Sequence, residues 1–164
     1  MSLFACATLG VPTQAMASAM EGYTQLIQYL NEEKSNLALS LQEESSWVVP
    51  EDSAATDSAR VRIQQQITMT DAEIQGLERL LNNQYAREHE LSLEQKKLQD
   101  ASYTDVGETR LQTRLNELDA SRVNNTKLIE LIEENLKWVK RYQTLLGQHA
   151  NAIAFSTLEK NTQA

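Results

Sequence analysis

Metal binding is the first chemistry that the side chains of this 164-residue chain could support. Its two histidines, His89 and His149, are of the residue type most often used as a metal ligand. Neither has a glutamate three residues before it, so the Glu-x-x-His signature of di-iron helical bundles is absent. Cys6, the single cysteine, is distant from both in the sequence. We therefore expect no metal site, and we expect a solvated His89 in the charged run 87–90.

Catalysis and cofactor binding also lack the residue patterns that they require. A phosphate-binding loop needs glycines at fixed spacing, and the five glycines form no such pattern. No serine lies in the context of a nucleophile elbow. Aromatic residues make up only 5% of the chain. We expect a protein that is not an enzyme and that has no catalytic, cofactor-binding or metal-binding residues.

The charge balance limits the partners of the protein. Fifteen basic and 23 acidic residues give a net charge of -8. Nucleic acids and anionic membranes attract clustered Lys and Arg, and the longest basic run here is Lys96-Lys97. No apolar stretch reaches 18 residues, so no direct membrane span is expected. A partner protein is the remaining expectation.

The strongest periodic feature is a hydrophobic seam from Leu111 to Ile153. Apolar residues recur there at alternating steps of four and three, a 3.5-residue period that indicates one face of a long helix buried against another helix. Ten of its thirteen positions are apolar. The seam consists of Leu111, Leu115, Leu118, Arg122, Asn125, Ile129, Ile132, Leu136, Val139, Gln143, Leu146, Ala150 and Ile153.

Similar spacing elsewhere predicts three helices, at about 20–46, 58–99 and 106–147. The second and third are matched in length and joined by a short loop, which favours an antiparallel hairpin. We predict an all-α fold, an elongated antiparallel three-helix bundle or coiled-coil hairpin. A two-helix stretch would leave part of the seam exposed, so a homodimer is an alternative to a partner helix.

Local breakers and caps set the predicted helix boundaries. Pro50 disfavours helical geometry in the residue before it, which ends the first helix. Asp57 or Ser58 is expected to cap the second helix, and Asp105 the third. A restart of the second helix at Thr68–Thr70 is the alternative to a continuous one.

The end of the third helix has two interpretations. Gly147 lies where a C′ glycine would terminate it, which makes residues 148–164 a tail. Ala150 and Ile153 keep the phase of the seam, which leaves open a helix that continues through Gly147.

The first nineteen residues, 1–19, contain no charged side chain. An ordinary N-terminal arm is one interpretation, and a secretory signal remnant with small-x-small triplets at residues 15–19 is another. A lipoprotein box at Leu3–Cys6 is a third. An intact chain predicts a cytoplasmic location, and a signal remnant predicts a periplasmic one.

Side chains beside the seam broaden the apolar face of the third helix. Leu128, Leu131, Trp138 and Leu145 lie off its strict positions, so this helix is expected to contact two neighbours, or one neighbour and an external helix. Trp138 and Tyr142 are of the residue types that anchor partners, although aromatic residues also close the ends of a thin core.

Asn125 occupies a seam position, with Arg122 one step before it. A buried Asn in a helical seam fixes the register of packing at some cost in stability. A solvated gap in the bundle is the other interpretation.

The stretch Asn125-Thr126-Lys127-Leu128-Ile129, continuing to Leu145-Leu146-Gly147, resembles the C-terminal helix of the FlgN-type flagellar export chaperones. The resemblance implies a chaperone that holds an amphipathic helix of an exported subunit. It also implies a substrate groove, whose lining would be Leu128, Ile129, Ile132, Leu136, Val139 and Leu146. A structural or adaptor domain of the cell envelope is the alternative function.

The predicted partner-binding set adds the two aromatic residues to those that the resemblance implies. It comprises Leu128, Ile129, Ile132, Leu136, Trp138, Val139, Tyr142 and Leu146.

Overall fold

Three helices make up the part of the chain that the structure describes. The computed structural model describes residues 16–101 and 107–163. It contains α1 at Met16–Ser45, α2 at Ser53–Ala101 and α3 at Glu108–Gln163, and no strand among the described residues. At 1.5 Å per residue the helices are roughly 45, 74 and 84 Å long. The predicted all-α fold is confirmed.

The long helix α3 lies between the other two. It contacts α2 in an antiparallel arrangement. Near one end Arg60 Nη2 donates to Thr157 Oγ1 at 3.3 Å, and near the other end Arg114 Nε donates to Glu94 Oε1 at 3.0 Å. These two helices are therefore the predicted antiparallel hairpin. The Cα atoms of α1 and α2 do not come within 8 Å of each other in the described residues. Both pack on α3, which confirms the expected two neighbours.

The seams of the three helices form one continuous core. Leu30 of α1, Leu77 of α2 and the α3 residues Ile132, Leu146 and Ile153 are almost completely buried in it. Burying such apolar side chains is the main favourable contribution to packing, at about 25 cal/mol for each Å² removed from water. The core is thin because α1 and α2 each supply one narrow stripe, and only α3 contributes a broader face.

The polar positions of the α3 seam are satisfied by α2. Asn125 is buried and its Nδ2 donates to the backbone oxygen of Gln84 at 2.9 Å. Arg122 Nε bonds Glu88 Oε1 at 2.8 Å, and Gln143 Nε2 donates to Thr70 Oγ1 at 3.2 Å. These pairs fix the register of the hairpin, and Asn125 does not lie in a solvated gap.

The second helix begins earlier than predicted. The predicted start at about residue 58, with Asp57 or Ser58 as the cap, is wrong, because α2 begins at Ser53. Asp52 Oδ2 accepts a hydrogen bond from the amide of Ala55 at 3.3 Å, so Asp52 caps α2. The helix then continues without a restart to Ala101.

The predicted tail at 148–164 is also wrong, because α3 continues through Gly147 to Gln163. No described glycine has a positive φ, so Gly147 does not form the left-handed cap that would end a helix. Ile153 is 1% exposed, and Lys160 Nζ donates to the backbone oxygen of Glu51 at 2.9 Å. These contacts stabilise the last turns.

The chain termini and the second loop fall partly outside the described residues. Residues 1–15 of the predicted arm at 1–19 lie outside the described residues, whereas Met16–Ala19 are part of α1. Asp105, the predicted cap of the third helix, is also outside. The helix itself begins at Glu108 rather than at residue 106.

Candidate partner-binding groove

The predicted partner-binding residues are mostly part of the core of the protein itself. Ile129 and Trp138 are half-buried. The other six are buried, with exposed fractions of 0–8%, and they are Leu128, Ile132, Leu136, Val139, Tyr142 and Leu146. Since α1 and α2 already cover these six, a partner helix meets an open surface only beside them.

Such a surface is a groove between α1 and α3, which we call the α1–α3 groove. Its volume is about 530 Å³. The groove is lined by Leu41, Gln42 and Ser45 of α1 and by Trp138, Arg141, Thr144, Leu145 and Gln148 of α3. Trp138 is the one member of the predicted set that faces it.

The groove has an apolar floor made by three half-buried side chains, Leu41, Trp138 and Leu145. Trp138 and Leu145 each precede a buried seam residue, so they lie at the edge of the face that packs in the core. They are seven residues apart, which places them two turns or roughly 10.5 Å apart along α3. No described residue accepts a hydrogen bond from the Trp138 indole, so its N–H stays available to a ligand.

Only part of this groove was detectable in the sequence. The widening of the α3 face by Trp138 and Leu145 indicated it. Leu41 continues the four-and-three spacing of α1, which does not distinguish it from a core residue, and Arg141 has no distinguishing pattern. The face of α1 that meets α3 depends on how the two helices are placed, and the sequence does not specify this.

The groove is positively charged within an acidic protein. Arg141 is exposed, and Lys137 lies one turn before it on α3, also exposed. Neither forms an ion pair with a described residue. None of the residues that line the groove is acidic.

A second surface hollow of about 530 Å³ provides a contrast. It lies between α2 and α3. Three carboxylates line it, those of Glu88, Asp119 and Glu130, and they outnumber its two cations, Arg122 and Lys127. Its single large apolar side chain is Val123, which is exposed. This acidic hollow lacks the aromatic floor of the α1–α3 groove.

A buried polar cluster fixes one end of the groove. Glu44 of α1 is 5% exposed, and its two carboxylate oxygens accept hydrogen bonds from Arg62 of α2 at 3.0 and 3.3 Å. His149 of α3 places Nδ1 2.9 Å from Glu44 Oε1. Ser45 and Gln148, which line the groove, are the immediate chain neighbours of Glu44 and His149. The cluster therefore holds both walls of the groove at this end.

Trp47, just after α1, completes this cluster. Its ring centroid lies 4.8 Å from that of His149, and the Arg62 guanidinium carbon lies 5.7 Å from the Trp47 ring, within the range of a cation–π contact. The predicted Trp47–Pro50 break thus packs a half-buried aromatic side chain against two helices.

The pKa of Glu44 is determined by opposing effects. Burial raises the pKa of this carboxyl, but the hydrogen bonds and positive charges of Arg62 and His149 outweigh burial and lower it below its ordinary value of 4.5. Burial also raises the pKa of the nearby Tyr142 hydroxyl, and the charge of Glu44 raises it further. Glu44 is accordingly ionised and paired at neutral pH.

Residues 16–101 and 107–163 contain neither a candidate metal site nor a membrane-spanning helix. No group of three or more His, Cys, Asp and Glu side chains there could hold a metal ion. No helix in these ranges is both long and apolar enough to cross a membrane.

The fold and the groove define the class of protein as an all-α bundle with an open apolar cleft beside its central helix. No model of a protein family matches the chain, and neither a curated protein nor a solved structure is significantly similar to it. The function of the protein is therefore inferred from the residues of the groove.

Proposed function

We propose that this protein is a protein-interaction module and that its α1–α3 groove binds an amphipathic helix of a partner. The observation that carries the proposal is the pair Trp138 and Leu145, half-buried two turns apart and facing Leu41 across the groove. Helix-in-groove recognition uses apolar anchors at positions i, i+3 or i+4, and i+7, which repeat over the same two turns.

The export-chaperone function is the specific form of this proposal. It is supported by the resemblance of residues 125–147 to the FlgN-type chaperones, which implies that an exported subunit supplies the helix. The binding residues that we propose differ from those implied by the resemblance. Ile132, Val139 and Leu146 support the core, whereas Trp138 makes the contact. An aromatic anchor of this kind accounts for about 2 kcal/mol or more of binding free energy when it is buried centrally in an interface.

Site-specific photo-crosslinking in the native host tests the proposal. A photoreactive phenylalanine analogue replaces Thr144 at the rim of the groove, and the matched control replaces Val123 in the acidic hollow. We expect Thr144 cross-links to map to the apolar face of an amphipathic helix in one partner. Trp138→Ala should reduce their yield several-fold while leaving the helical content unchanged.

Two outcomes would contradict this function. Equal cross-linking from Thr144 and from Val123 would mean that the groove binds a partner no more specifically than the hollow between α2 and α3 does. Cross-links from Thr144 to a second copy of this chain, together with concentration-dependent sedimentation, would show that the groove is a homodimer interface.

A further inference from the structure

We infer that the partner helix of the α1–α3 groove carries acidic side chains beside its apolar face. This inference rests on the proposed function and specifies the chemistry of the partner. It follows from two exposed cations that form no ion pair with a described residue: Arg141, which lines the groove, and Lys137, which lies one turn before it on α3.

The positions of these cations match one flank of a docked helix. Lys137 and Arg141 are four residues apart on α3, which separates them by roughly 6 Å along the axis. Arg141 lies between Trp138 and Leu145 in the sequence, about one turn from each. If a partner helix places one apolar residue on Trp138 and another on Leu145, a residue between those two lies opposite Arg141. Two carboxylates at i and i+4 on that flank would reach both cations.

The surrounding charges leave these cations available. Glu133 and Glu134 lie about one turn before Lys137 on α3, but Glu133 accepts a hydrogen bond from the Tyr85 hydroxyl of α2, and Glu134 pairs with Lys34 of α1 at 2.7 Å. The lining residues of α1, namely Leu41, Gln42 and Ser45, contribute no charge. The remaining carboxylates of this chain repel an acidic partner at long range, but at physiological salt the Debye length is about 8 Å. Direct contact with Lys137 and Arg141 then outweighs the repulsion.

The expected effect is one of selectivity. Charge pairs at the rim of an interface contribute modestly to affinity and more to specificity and association rate. Exposed charge pairs are individually weak, so two of them give roughly a two- to thirtyfold preference for an acidic flank over a neutral one. A basic flank should be rejected.

Synthetic helices of matched helicity test the inference on the full chain. Three peptides share one apolar face and carry Glu, Gln or Lys on the flank, and fluorescence anisotropy gives their Kd values at about 0.15 M and at about 1 M salt. We expect the Glu peptide to bind several-fold more tightly than the Gln peptide at the lower, physiological salt, and the difference should disappear at the higher salt. The double variant Lys137→Glu/Arg141→Glu should reverse the order and favour the Lys peptide.

The matched control is Lys96→Glu/Lys97→Glu, an equal charge change at two exposed positions of α2. It should keep the original preference. If it abolishes the preference as well, net charge accounts for the selectivity and the inference is overturned.

Two other results distinguish a failure of this inference from a failure of the proposed function on which it rests. If all three peptides bind equally and Trp138→Ala weakens the binding of each one, the groove binds helices without preferring an acidic flank, and the inference is wrong. If no peptide binds, or if Trp138→Ala changes nothing, the proposed function of the groove fails and the inference fails with it.

Discussion

His149 Nδ1 lies 2.9 Å from Glu44 Oε1, although 105 positions separate the two residues in the chain. With Arg62, this contact joins all three helices at one buried carboxylate. Apart from the contact of Glu44 with Arg62, α1 packs only on α3 within the described residues. The pair is therefore the main polar constraint on the C-terminal end of α1. The integrity of the α1–α3 groove therefore depends on it.

Glu44→Gln should lower the free energy of unfolding by about 1–2 kcal/mol at pH 7, because Arg62 and His149 lose the carboxylate that they contact, while the 37% exposure of the Arg62 side chain limits the loss. Urea denaturation followed by circular dichroism measures the change. Glu43→Gln, at the exposed neighbouring position, is the control and should change stability by less than about 0.5 kcal/mol. A loss of similar size in both variants would show that the buried pairing is not the cause.

The pH dependence of stability should also change in the Glu44→Gln variant. Because the folded state lowers the pKa of Glu44 below 4.5, this carboxylate stabilises the protein fully above that value. Its contribution is lost as the pH falls through the lowered pKa. Denaturation at several pH values between 7 and 3 should show a steeper acid loss in the parent than in the variant. Parallel curves would contradict the assignment.

Glu73→Gln should have the opposite effect and stabilise the protein at pH 7, by about 0.5–1 kcal/mol. Burial raises the pKa of the Glu73 carboxyl, and the charge of Glu33 on α1 raises it further, so the folded state disfavours the ionised form. This penalty is full above the raised pKa and disappears as the pH falls towards 4.5. Thermal unfolding at pH 7 and pH 5 measures it, with Glu90→Gln as the exposed control. An unchanged Tm in Glu73→Gln at pH 7 would contradict the prediction.

Asn135→Leu should raise the unfolding free energy by about 1 kcal/mol. Asn135 is 1% exposed, and its Oδ1 has no hydrogen-bond partner among the described residues, a cost of about 1–3 kcal/mol. Its Nδ2 donates to the Leu131 backbone oxygen, which lies in the helix four residues earlier. Chemical denaturation provides the measurement, and Asn116→Leu at an exposed position of α3 is the control. Destabilisation by Asn135→Leu would mean that the extra volume does not fit.

Ile153→Ala should lower the unfolding free energy by about 2–4 kcal/mol, because a fully buried side chain is removed from the core. Phe155→Ala, two positions further along α3, is the matched control. That side chain is 65% exposed, so its loss should change stability by less than about 0.5 kcal/mol. Equal and small effects would indicate that the segment after Gly147 is only loosely attached.

The amino-acid sequence determines the helical character and the main break of this protein. The four-and-three spacing from Leu111 to Ile153 specifies a helix with one buried face, and Pro50 sets the end of α1, because periodicity and proline stereochemistry act over a few residues. Gly147 was ambiguous for the same reason. A glycine costs a helix about 1 kcal/mol locally, and only the packing of Ile153 beyond it offsets that cost.

Tertiary structure alone decides which apolar residues become core and which form the groove. Leu128 and Trp138 both lie beside the seam, yet the packing of the three helices buries the first and leaves the second half-buried. The cluster of Glu44, Arg62 and His149 was equally invisible in the sequence, because ion pairing across three helices depends on their register. Register follows from the simultaneous packing of all three seams, and no local pattern contains that information.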